Sequence, residues 1–152
     1  MRTSKLFVLL GNNFSMVKIK KIWFDSSWMY GQDVCGVVYK QSILWYKRLV
    51  DATEEQRECY ELSDIGVHWR NINEDISFDS FIERNDIEPN AMQKFFLSHR
   101  ELNLIGFAKI LGINHTLLYD YINGWKTPSP KRLEQIRDGI KQYARELEKV
   151  NF

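Results

Sequence analysis

Val17 and Ile19 alternate with Lys18 and Lys20, the two-residue period of a strand with one buried face, and the phase blurs at Lys21. Trp28 to Tyr30 and Val37 to Tyr39 are strand-like runs flanking Gly31, Asp33 and Gly36, which predicts a hairpin with a loop longer than the tightest turns. Thr53 is followed three residues later by Gln56, a capping box in which each side chain satisfies a free amide of the first turn. A short helix is therefore expected from Glu54 to Cys59, and a further strand near Val67 to Trp69. From Ala91 the spacing becomes helical: Met92, Phe95, Phe96, His99 and Leu102 fall at i, i+3, i+4, i+7 and i+10. Next, Leu104 to Leu111 turns Phe107, Ala108 and Leu111 inward, and Gly112-Ile113-Asn114 leads into a second short helix, His115 to Ile122. Ser129 caps a final helix with Pro130 at its first position, where a missing amide costs nothing. That helix carries Leu133, Ile136, Ile140, Tyr143, Ala144 and Leu147 on one face. The pattern predicts an α+β first domain with a small antiparallel sheet, followed by an all-α domain.

Composition narrows the class. The 152 residues are 44% hydrophobic, 27% charged and 14% aromatic, which excludes a disordered or collagen-like chain. The longest apolar run, Leu6 to Leu10, is shorter than the roughly 18 residues of a membrane span and the roughly 7 of a signal-peptide core. A cytoplasmic protein without a membrane partner is expected. Cys35 and Cys59 have no CxxC spacing, so they are expected to be reduced packing residues, with no disulfide framework, no metal and no cofactor.

Charge divides the chain where composition does not. The totals nearly cancel, 21 basic against 20 acidic. Residues 16–89 carry nine basic and fourteen acidic side chains, a net −5, whereas residues 90–152 carry ten and six, a net +4. Between 85 and 90, Asn, Asp, Glu and Pro89 interrupt the apolar pattern, and Pro89 discourages helix at Glu88. The expected organisation is an extension at residues 1–15, disordered or at least without a folding role, a domain at 16–85 and a domain at 90–152.

In the first domain His68, Glu74 and Asp75 lie within eight residues, with Cys59 nearby. They offer neither a His-x3-His pair nor a nucleophile with a base, and adjacent strand residues point to opposite faces. The expectation is structural: His68 as a side chain beside Trp69, Glu74 and Asp75 as turn or cap acceptors, and Arg48, Arg57 and Arg70 as ionic partners. No catalytic residue and no enzyme activity are expected. Four segments, Leu44-Trp45-Tyr46-x-Arg48-Leu49, Ala52-Thr53-x-Glu55-Gln56-Arg57, Gly66-Val67-His68-Trp69 and Glu74-Asp75-Ile76-Ser77, together resemble a prokaryotic family, the domain of unknown function numbered twenty-four forty-two. Lys47 departs from the Trp-Tyr-Pro-Arg-Leu form and Cys35 from the usual Asp-Gly turn. The resemblance implies a small fold, frequent association with toxin-antitoxin-like gene pairs, and no established catalysis.

The second domain meets the requirements of two helices crossing at a tight turn. Ala108 is small where the helices touch, and Gly112 can take positive φ four residues later. Ile113, Leu118 and Tyr121 hold the second helix down, and Asn114 caps it. With Asn123-Gly124 and Lys126-Thr127-Pro128-Ser129, residues 91–150 resemble the Cro/lambda-repressor type of DNA-binding domain. The resemblance implies a helix-turn-helix whose second helix enters the major groove and meets base edges through Asn114, His115, Thr116, Tyr119 and Asp120. Lys109, Asn123, Lys126, Lys131 and Arg132 are the corresponding phosphate contacts. Asp120 departs from the ideal, because phosphate repels a carboxylate that does not accept from a cytosine amino group. The expected function is a sequence-specific double-stranded DNA-binding regulator, antitoxin-like and homodimeric, with residues 16–85 for protein interaction or dimerisation. The alternative is an adaptor that no longer binds DNA.

Overall fold

A computed structural model describes residues 17–152, and the expected extension at residues 1–15 lies outside the described residues. The chain divides between Glu88 and Pro89 into two compact units.

In the first unit, β1 (Ile19–Phe24), β2 (Trp28–Asp33) and β3 (Val38–Ser42) form an antiparallel sheet in chain order. The blurred phase at Lys21 is a β-bulge: Ile19 faces Asp33, whereas Lys21 already faces Gln32. Lys20 and Lys21 both lie in solvent while Ile19 and Ile22 stay buried, an outcome that regular alternation cannot produce. The β2–β3 turn is organised by Asp33, whose Oδ1 accepts from the amides of Cys35 at 2.9 Å and Val37 at 2.8 Å. Gly31 lies in the strand and not in the turn. A Cβ there would stand 2.6 Å from Cε1 of Phe81, so the glycine lets that ring lie against β2.

A 3-10 turn (Ile43–Trp45), α1 (Lys47–Asp51) and α2 (Glu54–Glu58) follow, and α2 begins on the expected reciprocal Thr53–Gln56 capping box. The chain then builds a second antiparallel sheet from β4 (Glu61–Leu62), β5 (Gly66–Trp69) and β6 (Glu74–Ser77), and closes with α3 (Asp79–Glu83). Among the described residues there are thus two three-stranded sheets where the pattern predicted one. Glu74 and Asp75, expected as turn or cap acceptors, are strand residues of β6. The polar β4 and β6 sequences carry little hydrophobic alternation, and pairing to β5 makes them strands.

The core of this unit includes Ile19, Met29, Leu49, Val67, Trp69, Phe78 and Phe81. Trp69 is fully buried, and its indole nitrogen donates to the Arg57 carbonyl at 2.8 Å. Gln41 is equally buried, with both polar atoms bonded: its Oε1 accepts from the Tyr46 hydroxyl at 2.6 Å and its Nε2 donates to Ser80 Oγ at 3.0 Å. Ser80 Oγ in turn donates to the Ser77 carbonyl at 2.6 Å. Burial of the phenol, the largest influence on it, raises the pKa of Tyr46. Cys35 and Cys59 are free as expected but exposed, so neither is a packing residue. Cys35 sits in a solvent-facing turn, and Cys59 follows the last residue of α2.

The second unit consists of α4 (Ala91–Ser98), α5 (Leu104–Leu111), α6 (His115–Ile122) and α7 (Pro130–Glu148). The α4 stripe differs from the pattern. Gln93, Phe96 and Leu97 are buried, and the helix ends before His99 and Leu102. Gln93 is drawn inward because its Nε2 donates to the Tyr121 carbonyl at 3.1 Å, and His99 Nδ1 donates to the Phe95 carbonyl at 2.7 Å at the helix end. The rings of Phe96, Phe107 and Tyr143 pack edge to face in succession. On α7 only Ile136 of the expected face is buried. Ile140 and Tyr143 are half-buried, while Leu133, Ala144 and Leu147 are exposed. Among the described residues, no helix is long and apolar enough to cross a membrane.

Candidate functional site

The junction of α5 and α6 is built by short-range bonds. Ala108 is buried, and its carbonyl accepts from the Ile113 amide at 2.9 Å, closing the turn. Gly112 has φ of +66°, the left-handed conformation that a side chain makes costly. Asn114 begins α6, its Oδ1 accepting from the Thr116 amide at 2.8 Å, and Ile113, Leu118 and Tyr121 are buried beneath.

This arrangement leaves Asn114, His115, Thr116 and Tyr119 exposed on α6. Asp120 is only partly exposed, and its carboxylate pairs with the Lys126 ammonium at 2.8 Å. Its carbonyl also accepts from the amides of Trp125 at 2.8 Å and Lys126 at 3.2 Å, so Asp120 holds the following turn against the end of α6. The pair removes the bare carboxylate expected there and engages Lys126 at the same time. Of the other cationic candidates, Lys109 and Lys131 are exposed and in no ion pair among the described residues, and Arg132 donates to Gln135 Oε1 at 2.8 Å. Asn123 Nδ2 donates to the Tyr119 carbonyl at 3.0 Å. Trp125, not singled out from the sequence, is 56% exposed beside Lys126. An aromatic next to a lysine just past Gly124 was the available signal.

A second polar cluster lies on the outward face of β4–β5–β6. Glu61, His68 and Asp75 are direct cross-strand partners, while Val67, Trp69 and Ile76 point into the core. His68 Nδ1 lies 2.6 Å from Asp75 Oδ1, and His68 Nε2 lies 2.8 Å from Ser63 Oγ. Ser63 Oγ also accepts from the amides of Ile65 and Gly66. Arg70 pairs with Glu61 at 2.9 Å, Arg57 donates to the Leu49 and Val50 carbonyls, and Arg48 donates to the Asn73 carbonyl. Ser63 was not singled out in the sequence: its partners Ile65, Gly66 and His68 lie two, three and five positions ahead, and only the turn into β5 brings the hydroxyl to the imidazole. No group of three His, Cys, Asp or Glu able to hold a metal occurs among the described residues.

Residues 36–86 match the model of a family described as protein of unknown function (DUF2442), and the first unit is similar to that family over this stretch. No curated protein and no solved structure matches the chain.

Proposed function

We propose that the chain is a sequence-specific double-stranded DNA-binding regulator of the Cro/lambda-repressor helix-turn-helix kind, acting as a homodimer. The observation that carries this reading is the α5–Gly112–α6 junction, whose capped second helix exposes Asn114, His115, Thr116 and Tyr119 beside the exposed cations Lys109 and Lys131. An α-helix fits the major groove, where amide, imidazole and hydroxyl groups read base edges and the Tyr119 ring meets a thymine methyl. The Asp120–Lys126 pair supports the reading, since a neutralised carboxylate is not repelled by phosphate. The net −5 of residues 16–89 keeps the first unit off DNA and suits it to hold a protein partner, as in an antitoxin, or to dimerise.

The test is fluorescence anisotropy with duplex DNA at 50 and 200 mM salt, followed by selection of bound sites from random sequence. Affinity is expected to fall steeply with salt, and the selected sites to repeat with two-fold symmetry about one helical turn apart. Tyr119→Ala should cost about 1–3 kcal/mol at the selected site, and Lys131→Ala should weaken all sequences alike and lower the salt slope by about 1. Absence of binding at 50 mM salt would leave the adaptor reading, which the exposed Ile105 and Ile110 of α5 favour.

A further inference from the structure

We propose that Ser63, His68 and Asp75 form an acyl-transfer site that hydrolyses small esters on the surface of the first unit. Their bonds follow the order that nucleophilic catalysis at serine requires, with a hydroxyl on a base and the base on an orienting acid. An ionised carboxylate only accepts, so the 2.6 Å bond to Asp75 puts a proton on Nδ1, and in the neutral imidazole Nε2 is then the acceptor. Nε2 lies 2.8 Å from Ser63 Oγ, closer than the competing Gly66 carbonyl at 3.2 Å. The Ser63 hydroxyl thus has two acceptors in reach, and the imidazole is the nearer.

The amides of Ile65 and Gly66 donate to the same oxygen at 3.2 and 3.1 Å. These bonds fix the position of Oγ in the turn beside the imidazole. The three residues line an open groove with Leu62, Arg70 and Asn73. Leu62 offers an apolar wall to a short acyl chain.

In the reaction, Oγ attacks the ester carbonyl carbon as its proton passes to Nε2. Collapse of the tetrahedral intermediate breaks the bond to the alcohol oxygen, which takes that proton from Nε2, leaving an acyl-serine. Water then gives a proton to Nε2 and attacks the acyl carbon. Release of the carboxylic acid returns the proton to Ser63.

The test uses the full chain, a fluorophosphonate probe and p-nitrophenyl acetate. Expected are covalent labelling located at Ser63 by mass spectrometry and a burst of nitrophenol. His68→Gln should lower both rates about 10²–10⁴-fold. Asp75 acts through His68 as a positioning residue, so Asp75→Asn should lower turnover and alter its pH profile, and Asp75→Glu should restore part of it. Ser63→Ala also removes the amide bonds of the turn, so the decisive comparison is His68→Gln against wild type, with both shown folded by circular dichroism. Folded wild type that is unlabelled at Ser63, or labelling and turnover unchanged in folded His68→Gln, would overturn the proposal and leave the hydroxyl as a turn-forming group.

Discussion

The two units are held together over very different distances along the chain. Each helix of residues 89–152 is started by a side chain bonded to an amide no more than three positions ahead: Asn90 to Gln93, Asn103 to Gly106, Asn114 to Thr116 and Ser129 to Arg132. The strands of the first unit depend on bonds between remote residues. The Ile22 amide donates to the Tyr60 hydroxyl 38 positions away, Gln41 to Ser80 across 39, and the Lys40 amide to Asn85 across 45. The contrast shows that elements of the second unit are specified before they meet, whereas those of the first become elements by meeting. It also separates the sites: the α6 face is a local property, while the Ser63–His68–Asp75 chain exists only once β5 has paired with β6 and the turn before β5 has folded.

Substitutions should respect that separation. The largest effect is expected from Trp69→Ala, which empties the centre of the first core and removes a buried hydrogen bond. It should cost about 3–5 kcal/mol and appear in calorimetry as a lowered transition of the first unit, with the helical signal of residues 89–152 retained. Loss of both units together would break the comparison. Gly112→Val acts on the other side. Forcing a branched residue to φ of +66° should cost about 1–2 kcal/mol, confined to the helical unit.

The smallest effect concerns the β1–β2 turn, a place where the first unit uses local bonds as the second does. Asp25 accepts from the Tyr30 hydroxyl at 2.7 Å and from the amides of Ser27 and Trp28. The Tyr30 bond, then the Ser27 amide, holds its carboxyl below the usual aspartate range. A lowered carboxyl pKa stabilises the fold fully above the unfolded value and ceases to do so as pH falls through the folded one. Acidification below about pH 4 should therefore loosen this turn, and Asp25→Asn should abolish that acid dependence, as followed by NMR titration of the Trp28 amide.

How much of this was legible beforehand varied with the same distances. Thr53–Gln56, Gly112, Asn114 and Ser129-Pro130 each act on neighbours, and each does in the structure what its position along the chain implied. The β1 bulge was visible only as a blurred period, and Gly31 was misplaced in a turn because nothing near it in the chain mentions Phe81. On α6 five residues were named as exposed from the resemblance to the helix-turn-helix family, and four of them, Asn114, His115, Thr116 and Tyr119, are exposed in the structure. The pairing of Asp120 with Lys126 was not readable, since it depends on how the turn after Gly124 folds back.

The amino-acid sequence by itself determined the opposed charge of the two halves and the helices of the second unit with the caps at Asn114 and Ser129. These follow from composition and from interactions within a turn or two, where backbone geometry leaves few alternatives. Only tertiary structure decided that the described part of the first unit has two sheets, that Gln41 can be buried with a partner at both polar atoms, and that Ser63, His68 and Asp75 meet. Strand pairing joins residues whose separation in the chain carries no period, so the contacts that define that face become visible only when the chain has closed on itself.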